Sequence, residues 1–166
     1  MKNCFKNYFE DCRVGDRVTT PGRTITEADV VQFAAFSSDW NAIHTDRHYA
    51  EHYTLFGQRI AHGLLGLVVG LCLLSREGWF TFWPRSWIVL TGLDRVRFTE
   101  PVFLGDTIYL DIEIVEMTPA PGGKGIITSR ARIKNQRDEV VISARVKLLA
   151  GRRPVGESAG TDEGRV

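Results

Sequence analysis

The sequence predicts an α+β fold in which an antiparallel sheet wraps around one long, buried helix. The run GLLGLVVGLCLL, residues 63–74, contains no polar side chain, which is typical of a helix that is buried on every side. Several segments after it alternate apolar and polar residues with a period of two, as half-buried strands do. Such a helix and such strands can bury their apolar surfaces against each other.

The length and charge indicate one globular domain. A chain of 166 residues suits a single core, and we expect the domain to cover residues 1–150 and a disordered tail to follow over 151–166. The 21 basic and 20 acidic residues give a formal charge of +1, which does not indicate a nucleic acid or an anionic membrane as partner. The 12-residue apolar run is shorter than the roughly 20 residues that a membrane-spanning helix needs.

The cysteines and the N-terminus predict a cytoplasmic protein. Cys4, Cys12 and Cys72 cannot all pair, and no two of them have the close spacing of a metal or redox motif. A reducing compartment is therefore the simpler interpretation. The opening residues carry charges where a signal peptide would need an apolar core, which argues against export.

Two short helices are predicted in the N-terminal half. In TITEADVVQFAAF, Thr26 is a helix N-cap with Asp29 three residues later, and apolar residues then recur at helical spacing until about Ser37. In TDRHYAEHY, either Thr45 or Asp46 caps a brief polar helix.

Strands are predicted in the second half. WIVLTGLDRVRF forms one strand, and Pro101 separates it from the alternating segment DTIYLDIEIVEM. Two further alternating runs, 127–133 and 140–148, are joined through NQRDE and predict a hairpin with a polar outer face.

Between the two predicted N-terminal helices, the stretch SDWNAIHTD brings together an acid, an amide and an imidazole. Asp39 and His44 are five residues apart and converge if the residues between them form a turn, which the Asn41 side chain can fix. A carboxylate and an imidazole that share a water molecule can remove its proton near neutral pH, so both hydration and dehydration are within reach. The alternative is that Asp39 and Asn41 only cap or turn the chain and His44 lies at the surface.

The segment IAHGLL places a helix N-terminus at Gly63. Its unpaired backbone amide and the positive end of the helix dipole can stabilise a developing oxyanion. The alternative for Gly63 is close packing at a helix start, and for His62 a polar residue near a cap.

His44, His48 and His52 are spaced by four, which also allows a zinc site on one helix. A cap at Thr45 or Asp46 leaves His44 outside that helix, so we predict no metal.

Taken together, four stretches resemble the MaoC-like dehydratases, the (R)-specific enoyl-CoA hydratase family with the hot dog fold. They are YFEDCRVGD, TITEADVVQFAAFSSDWNAIHTD, FGQRIAHGLL and TEPVFLGDTI, in the order that the family has. The family's pattern G-D-x-N-P-x-H falls on Asp39, Asn41 and His44. This chain has Ser38 in place of the glycine and Ala42 in place of the proline.

The resemblance implies a function and its residues. Asp39 and His44 would activate water for addition to a trans-2-enoyl thioester, giving a (3R)-hydroxyacyl product, with Asn41 orienting the site. The Gly63 amide would polarise the thioester carbonyl, and we predict His62 as a substrate contact. The substrate would be an acyl-CoA or an acyl-carrier-protein thioester, with no cofactor beyond the CoA of the substrate. The resemblance also implies a homodimer or a higher assembly of dimers.

Alternatives to this function stay open at the sequence level. Hot dog proteins also include thioesterases, and the fold alone does not decide. Two further alternatives are a non-catalytic binder of acyl thioesters and one subunit of a heterodimeric dehydratase. Four arginines are candidates for the CoA phosphates: Arg59, Arg85, Arg95 and Arg97.

An aromatic cluster in GWFTFWPRSWIV has three possible roles. Its five rings line an acyl pocket, form a subunit contact or belong to the core. The cluster consists of Trp79, Phe80, Phe82, Trp83 and Trp87.

Overall fold

The fold is an antiparallel sheet with the apolar helix Gly63–Cys72 packed against its strands, as the sequence predicts. A computed structural model describes residues 5–156. The sheet has the strand order β1-β4-β5-β6-β3, and β2 pairs with β4. The strands are β1 (Arg17–Thr19), β2 (Arg23–Thr24), β3 (Trp87–Phe98), β4 (Thr107–Ala120), β5 (Lys124–Lys134) and β6 (Val140–Gly151). The helices are α1 (Glu27–Ser37), α2 (Ala42–Thr45), α3 (Arg47–Tyr53), α4 (Gly63–Cys72) and α5 (Trp79–Phe82), with 3-10 turns at Phe9–Asp11 and Leu73–Glu77.

Local side-chain bonds set the starts of α1 and α3. Thr26 accepts a hydrogen bond from the Asp29 amide while the Asp29 carboxylate accepts one from the Thr26 amide, which forms a capping box. Asp46 accepts from the Tyr49 amide and caps α3. The predicted Thr26 cap is therefore confirmed, and Asp46 is the cap of α3.

Two glycines let α4 lie close to the sheet. A Cβ on Gly66 would lie 2.9 Å from Cδ1 of Ile142, and one on Gly70 would lie 2.4 Å from Cδ1 of Ile133. Both isoleucines are almost fully buried, so they have little room to move. The close packing predicted from the glycine content of this helix is thus directed at β5 and β6.

The prediction that α4 is buried on every side is wrong for the single chain. Leu64 is 60% exposed and Val68 is 55% exposed, and Cys72 extends the same stripe at a spacing of four residues. The helix also ends at Cys72 and continues as the 3-10 turn Leu73–Glu77. One apolar face of α4 is therefore not covered by the described residues of this chain.

Replacing Gly70 by alanine is expected to destabilise the protein. Alanine favours a helix over glycine by roughly 0.5–1 kcal/mol, but overpacking a filled core costs roughly 1–3 kcal/mol. Three atoms of Ile133 lie within 2.4–3.0 Å of the added methyl group, so we expect the packing cost to win. Urea unfolding measures the change in the free energy of unfolding. In an Ile133→Ala background the penalty should vanish, whereas Gly70→Ala at full wild-type stability would contradict this packing.

Most of the aromatic cluster belongs to the core. Phe82 and Trp83 are buried, and Trp79 packs against the core. The rings of Trp79, Trp83 and Trp87 stack with interplanar angles of 11–17°. The core alternative therefore accounts for these residues better than a pocket does.

The predicted tail begins inside ordered structure. Gly151 is the last residue of β6, Arg152 donates to Glu10 at 2.8 Å, and Arg153 pairs with Asp11. The rest of that prediction, residues 157–166, lies outside the described residues. Within residues 5–156, no helix is long and apolar enough to cross a membrane.

Candidate active site

The loop before α2 is held mainly by bonds within its own neighbourhood. Ser38 adopts the left-handed conformation with φ 62° and ψ 18°, which explains why glycine suits this position. The Asp39 amide donates to Ser37 Oγ, and the Asp39 carboxylate accepts from the Asn41 amide at 3.3 Å. Asn41 in turn caps α2 by accepting from the Ile43 amide at 3.1 Å. Asn41 therefore fixes the turn, which agrees with both sequence interpretations.

His44 projects from α2 with one ring nitrogen already engaged. Its Nδ1 lies 2.8 Å from the Ile60 carbonyl oxygen. Since a carbonyl can only accept, Nδ1 carries the hydrogen and Nε2 is left with a free lone pair. His44 is thus in the tautomer that a proton acceptor at Nε2 requires.

Asp39, His44 and His62 meet at one point. One carboxylate oxygen of Asp39 and one ring nitrogen of each histidine all lie within 4.8 Å of one another. A single water molecule can bridge such a separation. His62 is 3% exposed, and its Nε2 donates to the Asp39 carbonyl oxygen at 3.0 Å. The rings of His44 and His62 have centroids 3.9 Å apart. The structure therefore brings together three of the predicted site residues.

A cavity of about 470 Å³ opens beside these histidines. His44, His62 and Gly63 line it together with apolar residues. The apolar lining includes Phe56, Ile60, Leu64, Phe98, Val102 and Ile142. This size and this mixture of a few polar groups among apolar ones are typical of a ligand site.

Gly63 lies at the wall of the cavity as the first residue of α4. Its amide has no acceptor within its own helix, because the first amides of any helix lack one. A Cβ at this position would lie 2.9 Å from two carbon atoms of the Phe98 ring. Phe98 therefore packs over Gly63, and the sequence gives no local signal for this contact.

Burial is the main reason why the pKa of His44 lies below its ordinary value, and the neighbouring His62 lowers it further. The Ile60 carbonyl and the Asp39 carboxylate oppose this shift. The neutral, proton-accepting ring therefore persists at lower pH than it does in a free histidine.

We expect His44 to titrate below the ordinary histidine value of about 6.5. Following its ring protons by NMR against pH, with a His44→Gln variant for assignment, measures the midpoint. The unfolded chain binds this proton more readily than the folded one, so His44 should stabilise the fold above pH ~6.5 and lose that contribution as the pH falls. A midpoint above 6.5 would contradict the burial of this ring.

Asp39, His44 and His62 are also the group of described residues that could hold a metal ion. Two of their nitrogens, His44 Nδ1 and His62 Nε2, are already bonded to carbonyl oxygens. The His44, His48 and His52 set does not assemble: His44 lies on α2 beside Asp39 and His62, whereas His48 and His52 contact each other on α3.

The four candidate arginines differ in their surroundings. Arg59 forms an ion pair with Glu27, and Arg85 stacks over the rings of Phe5 and Phe80. Arg95 and Arg97 lie at a bulge of β3, where Arg95 has φ 51°. Arg59 and Arg97 each directly precede a cavity residue, Ile60 and Phe98 respectively, so these two are nearest in sequence to the site.

Comparison with curated proteins gives relatives named as a MaoC protein, a dehydratase and a hydratase. The chain is 39% identical over 104 residues to Protein MaoC of Klebsiella aerogenes, covering 63% of this chain and 29% of that protein. It is 35% identical over 114 residues to the 3-hydroxybutyryl-CoA dehydratase of Methylorubrum extorquens, covering 68% of this chain and 66% of that enzyme. It is 32% identical over 115 residues to the (R)-specific enoyl-CoA hydratase of Rhodospirillum rubrum, covering 68% of this chain and 73% of that enzyme. The chain thus spans less than a third of the Klebsiella protein and about two thirds of the Methylorubrum enzyme.

Solved structures show the same fold. A protein from Archaeoglobus described as a monoamine oxidase regulatory protein superposes with a TM-score of 0.85 at 34% identity, covering 93% of this chain and all of that one. A Mycobacterium tuberculosis protein described as a double hot dog fold superposes with a TM-score of 0.74 at 19% identity, covering 93% of this chain and 47% of that one. The family model for the MaoC like domain matches residues 11–134. The chain therefore belongs to the MaoC-like domain family and has the hot dog fold.

Proposed function

We propose that the protein catalyses the reversible hydration of a trans-2-enoyl thioester to a (3R)-hydroxyacyl thioester. The observation that carries this proposal is the meeting of Asp39 and His44 within 4.8 Å beside a cavity that Gly63 also lines. The relatives named as hydratase and dehydratase support the reaction class.

The geometry supplies a base for water. In the proposed mechanism, a water molecule donates one hydrogen bond to the Asp39 carboxylate and one to Nε2 of His44, the nitrogen that does not contact Ile60. As its oxygen bonds to C3 of the substrate, one of the two groups removes a proton. The electron pair of the C2–C3 double bond moves toward the thioester carbonyl, and a proton then returns to C2. The reverse sequence expels water from the hydroxyacyl thioester.

The amide of Gly63 stabilises the charge that this addition creates. Negative charge develops on the carbonyl oxygen, and a donor fixed at a helix N-terminus meets it without reorganisation. The apolar walls of the cavity suit an acyl chain, while the exposed Asp39 lies outside the cavity lining, beside His44 and His62. The reaction as written needs no redox cofactor.

Turnover of crotonyl-CoA by the purified protein is the direct test. We expect loss of the enoyl absorbance and a (3R)-hydroxyacyl product on a chiral column. Inactivity toward short, long, branched and dicarboxylic enoyl-CoA and carrier-protein thioesters would reject the proposal. Release of a free thiol would identify a thioesterase instead, and activity only with an added second subunit would identify a heterodimeric dehydratase.

We also propose that two copies of the chain form a homodimer. β3 is an edge strand, and consecutive apolar residues on it, Ile88, Val89 and Leu90, are 46–52% exposed. Such an edge normally pairs or is covered. The exposed face of α4 at Leu64 and Val68 provides further apolar surface for a second copy to cover.

Sedimentation equilibrium is expected to give twice the chain mass, and Val89→Arg should shift the protein toward one chain. Arginine on the buried part of an interface leaves a charge unpaired, which strongly disfavours association. Val31→Arg on α1 is a control, because Val31 is similarly exposed but lies outside β3 and α4. A wild-type protein that sediments as a single chain at micromolar concentration would contradict the dimer.

A further inference from the structure

We propose that His62 is a positioning residue that holds Asp39 and His44 in fixed positions relative to each other. This role differs from the substrate contact that the sequence analysis predicts for His62. The inference rests on the proposed hydration, because it assigns a role within that site. It is carried by the bonds, burial and ring contacts of one short segment, residues 60–62.

The first observation is the bond from His62 to the loop. Nε2 of His62 donates to the Asp39 carbonyl oxygen at 3.0 Å. The other hydrogen bonds given for residues 38–41, among those between described residues, stay within the loop or go to Ser37 or to α2. His62 therefore ties this loop to the start of α4.

The second observation is that the same segment also fixes His44. The Ile60 carbonyl accepts from His44 Nδ1, and the Ile60 amide donates to the Ile43 carbonyl at 3.3 Å. The His62 ring contacts the rings of both His44 and Phe33, with centroid distances of 3.9 Å and 5.0 Å. Residues 60–62 thus hold both members of the proposed pair, one by a carbonyl and the other by an imidazole.

The third observation concerns how His62 is itself held. Its side chain is buried, and Nδ1 has no hydrogen-bond partner among the described residues. The bond from Nε2 to Asp39 is therefore the polar contact that orients this ring. A buried polar group with one unpaired atom is costly and calls for a functional explanation.

Two residues of the loop, Ser38 and Ala42, leave it less rigid than other residues would at these positions, which increases the need for such a tie. Ser38 holds a left-handed conformation that glycine adopts more easily, and Ala42 stands where proline would stiffen the start of α2. The loop is therefore less preorganised by its own sequence. His62 supplies from outside part of the rigidity that the local residues do not.

Two substitutions separate positioning from substrate contact. His62→Phe keeps a ring against His44 but removes the donor to Asp39, whereas His62→Gln keeps an N–H donor. We expect kcat to fall about 10- to 100-fold in the Phe variant, since a displacement of about 1 Å has an effect of that order. We expect KM to change little, and the Gln variant to lose less of kcat. A raised KM with unchanged kcat in both variants would mean a substrate contact and would overturn the proposal.

Rescue by stiffening the loop is the sharper test. Ser38→Gly and Ala42→Pro suit their positions, because Asn41, with φ −54° and ψ 133°, already has the conformation required before proline. When the two substitutions are introduced together into His62→Phe, we expect them to raise the kcat of that variant about tenfold. In the wild-type background, the same pair should change kcat little. Failure to restore any kcat would overturn positioning, because a lost substrate contact cannot be replaced by a stiffer loop.

Hydrogen exchange keeps the inference testable apart from turnover. The amides of Asp39 and Asn41 should exchange at least about tenfold faster in His62→Phe, with the exchange of β5 unchanged. If the wild-type protein hydrates no enoyl thioester, the proposed function fails while this exchange result still stands. Unchanged exchange in an active enzyme would overturn positioning alone. Should His62→Phe not fold, His62→Gln carries the same measurement, with a smaller increase in exchange expected.

Discussion

Asp39→Asn is expected to reduce kcat for enoyl-CoA hydration by roughly 10²- to 10⁴-fold, the range that general acid–base groups contribute. The amide cannot accept a proton from the water molecule of the proposed mechanism, although it keeps the oxygen that accepts from the Asn41 amide. The fold should therefore survive, and circular dichroism and thermal unfolding check this. Steady-state kinetics with crotonyl-CoA measure the loss.

Asp46→Asn is the matched control for this prediction. Asp46 caps α3 by accepting from the Tyr49 amide, and asparagine caps a helix equally well. This variant should keep wild-type kcat. A double variant, Asp39→Asn with His44→Gln, should be little worse than either single change, because two groups that act on one water molecule are not additive. An Asp39→Asn enzyme with the full wild-type rate would remove Asp39 from the mechanism.

Gly63→Pro is expected to lower kcat by about 10²- to 10³-fold, the effect of removing one oxyanion donor. Proline deletes the amide hydrogen and is well suited to the first position of a helix. His62, with φ −59° and ψ 135°, has the backbone conformation that a residue before proline needs. The helix should therefore form while the proposed donor is lost.

Gly63→Ala separates the lost donor from crowding. Both substitutions place a Cβ about 2.9 Å from the Phe98 ring, but alanine keeps the amide hydrogen. Phe98 is half exposed and can move away, so alanine should cost less activity than proline. Adding Phe98→Ala to both variants removes the crowding, and the difference between proline and alanine should persist. Equal activity of the two double variants would exclude the Gly63 amide as an oxyanion donor.

The elements that the sequence predicts well are those with local signals. The capping box of Thr26 and Asp29 lies within four residues, and the alternation in β4 is visible within the strand itself. β1 and β2 were missed because strands of two or three residues show no period. The sequence does not predict the exposed face of α4. An apolar residue such as Val68 gives the same pattern whether it lies in the core of the chain or on its surface.

The sequence predicts residues of the site in two short stretches, Asp39 to His44 and His62–Gly63, but it does not predict the contacts that join them. Asp39, Asn41 and His44 lie within one short stretch, and their residue types already suggested shared chemistry. The contacts from Ile60 to His44 and from His62 to Asp39 cross 16 and 23 residues, so they depend on how the loops fold. Phe98 comes from an edge strand 35 positions after Gly63, and no local motif links the two.

A crystal structure of the protein with a bound, unreactive saturated acyl-CoA would test the central claim most directly. The account predicts that the carbon corresponding to C3 lies about 3–3.5 Å from a water molecule held by Asp39 and His44. It also predicts that the thioester oxygen accepts from the Gly63 amide at about 2.7–3.1 Å. An acyl chain that occupies the cavity with its carbonyl directed away from Gly63, or with no water between Asp39 and His44, would contradict it.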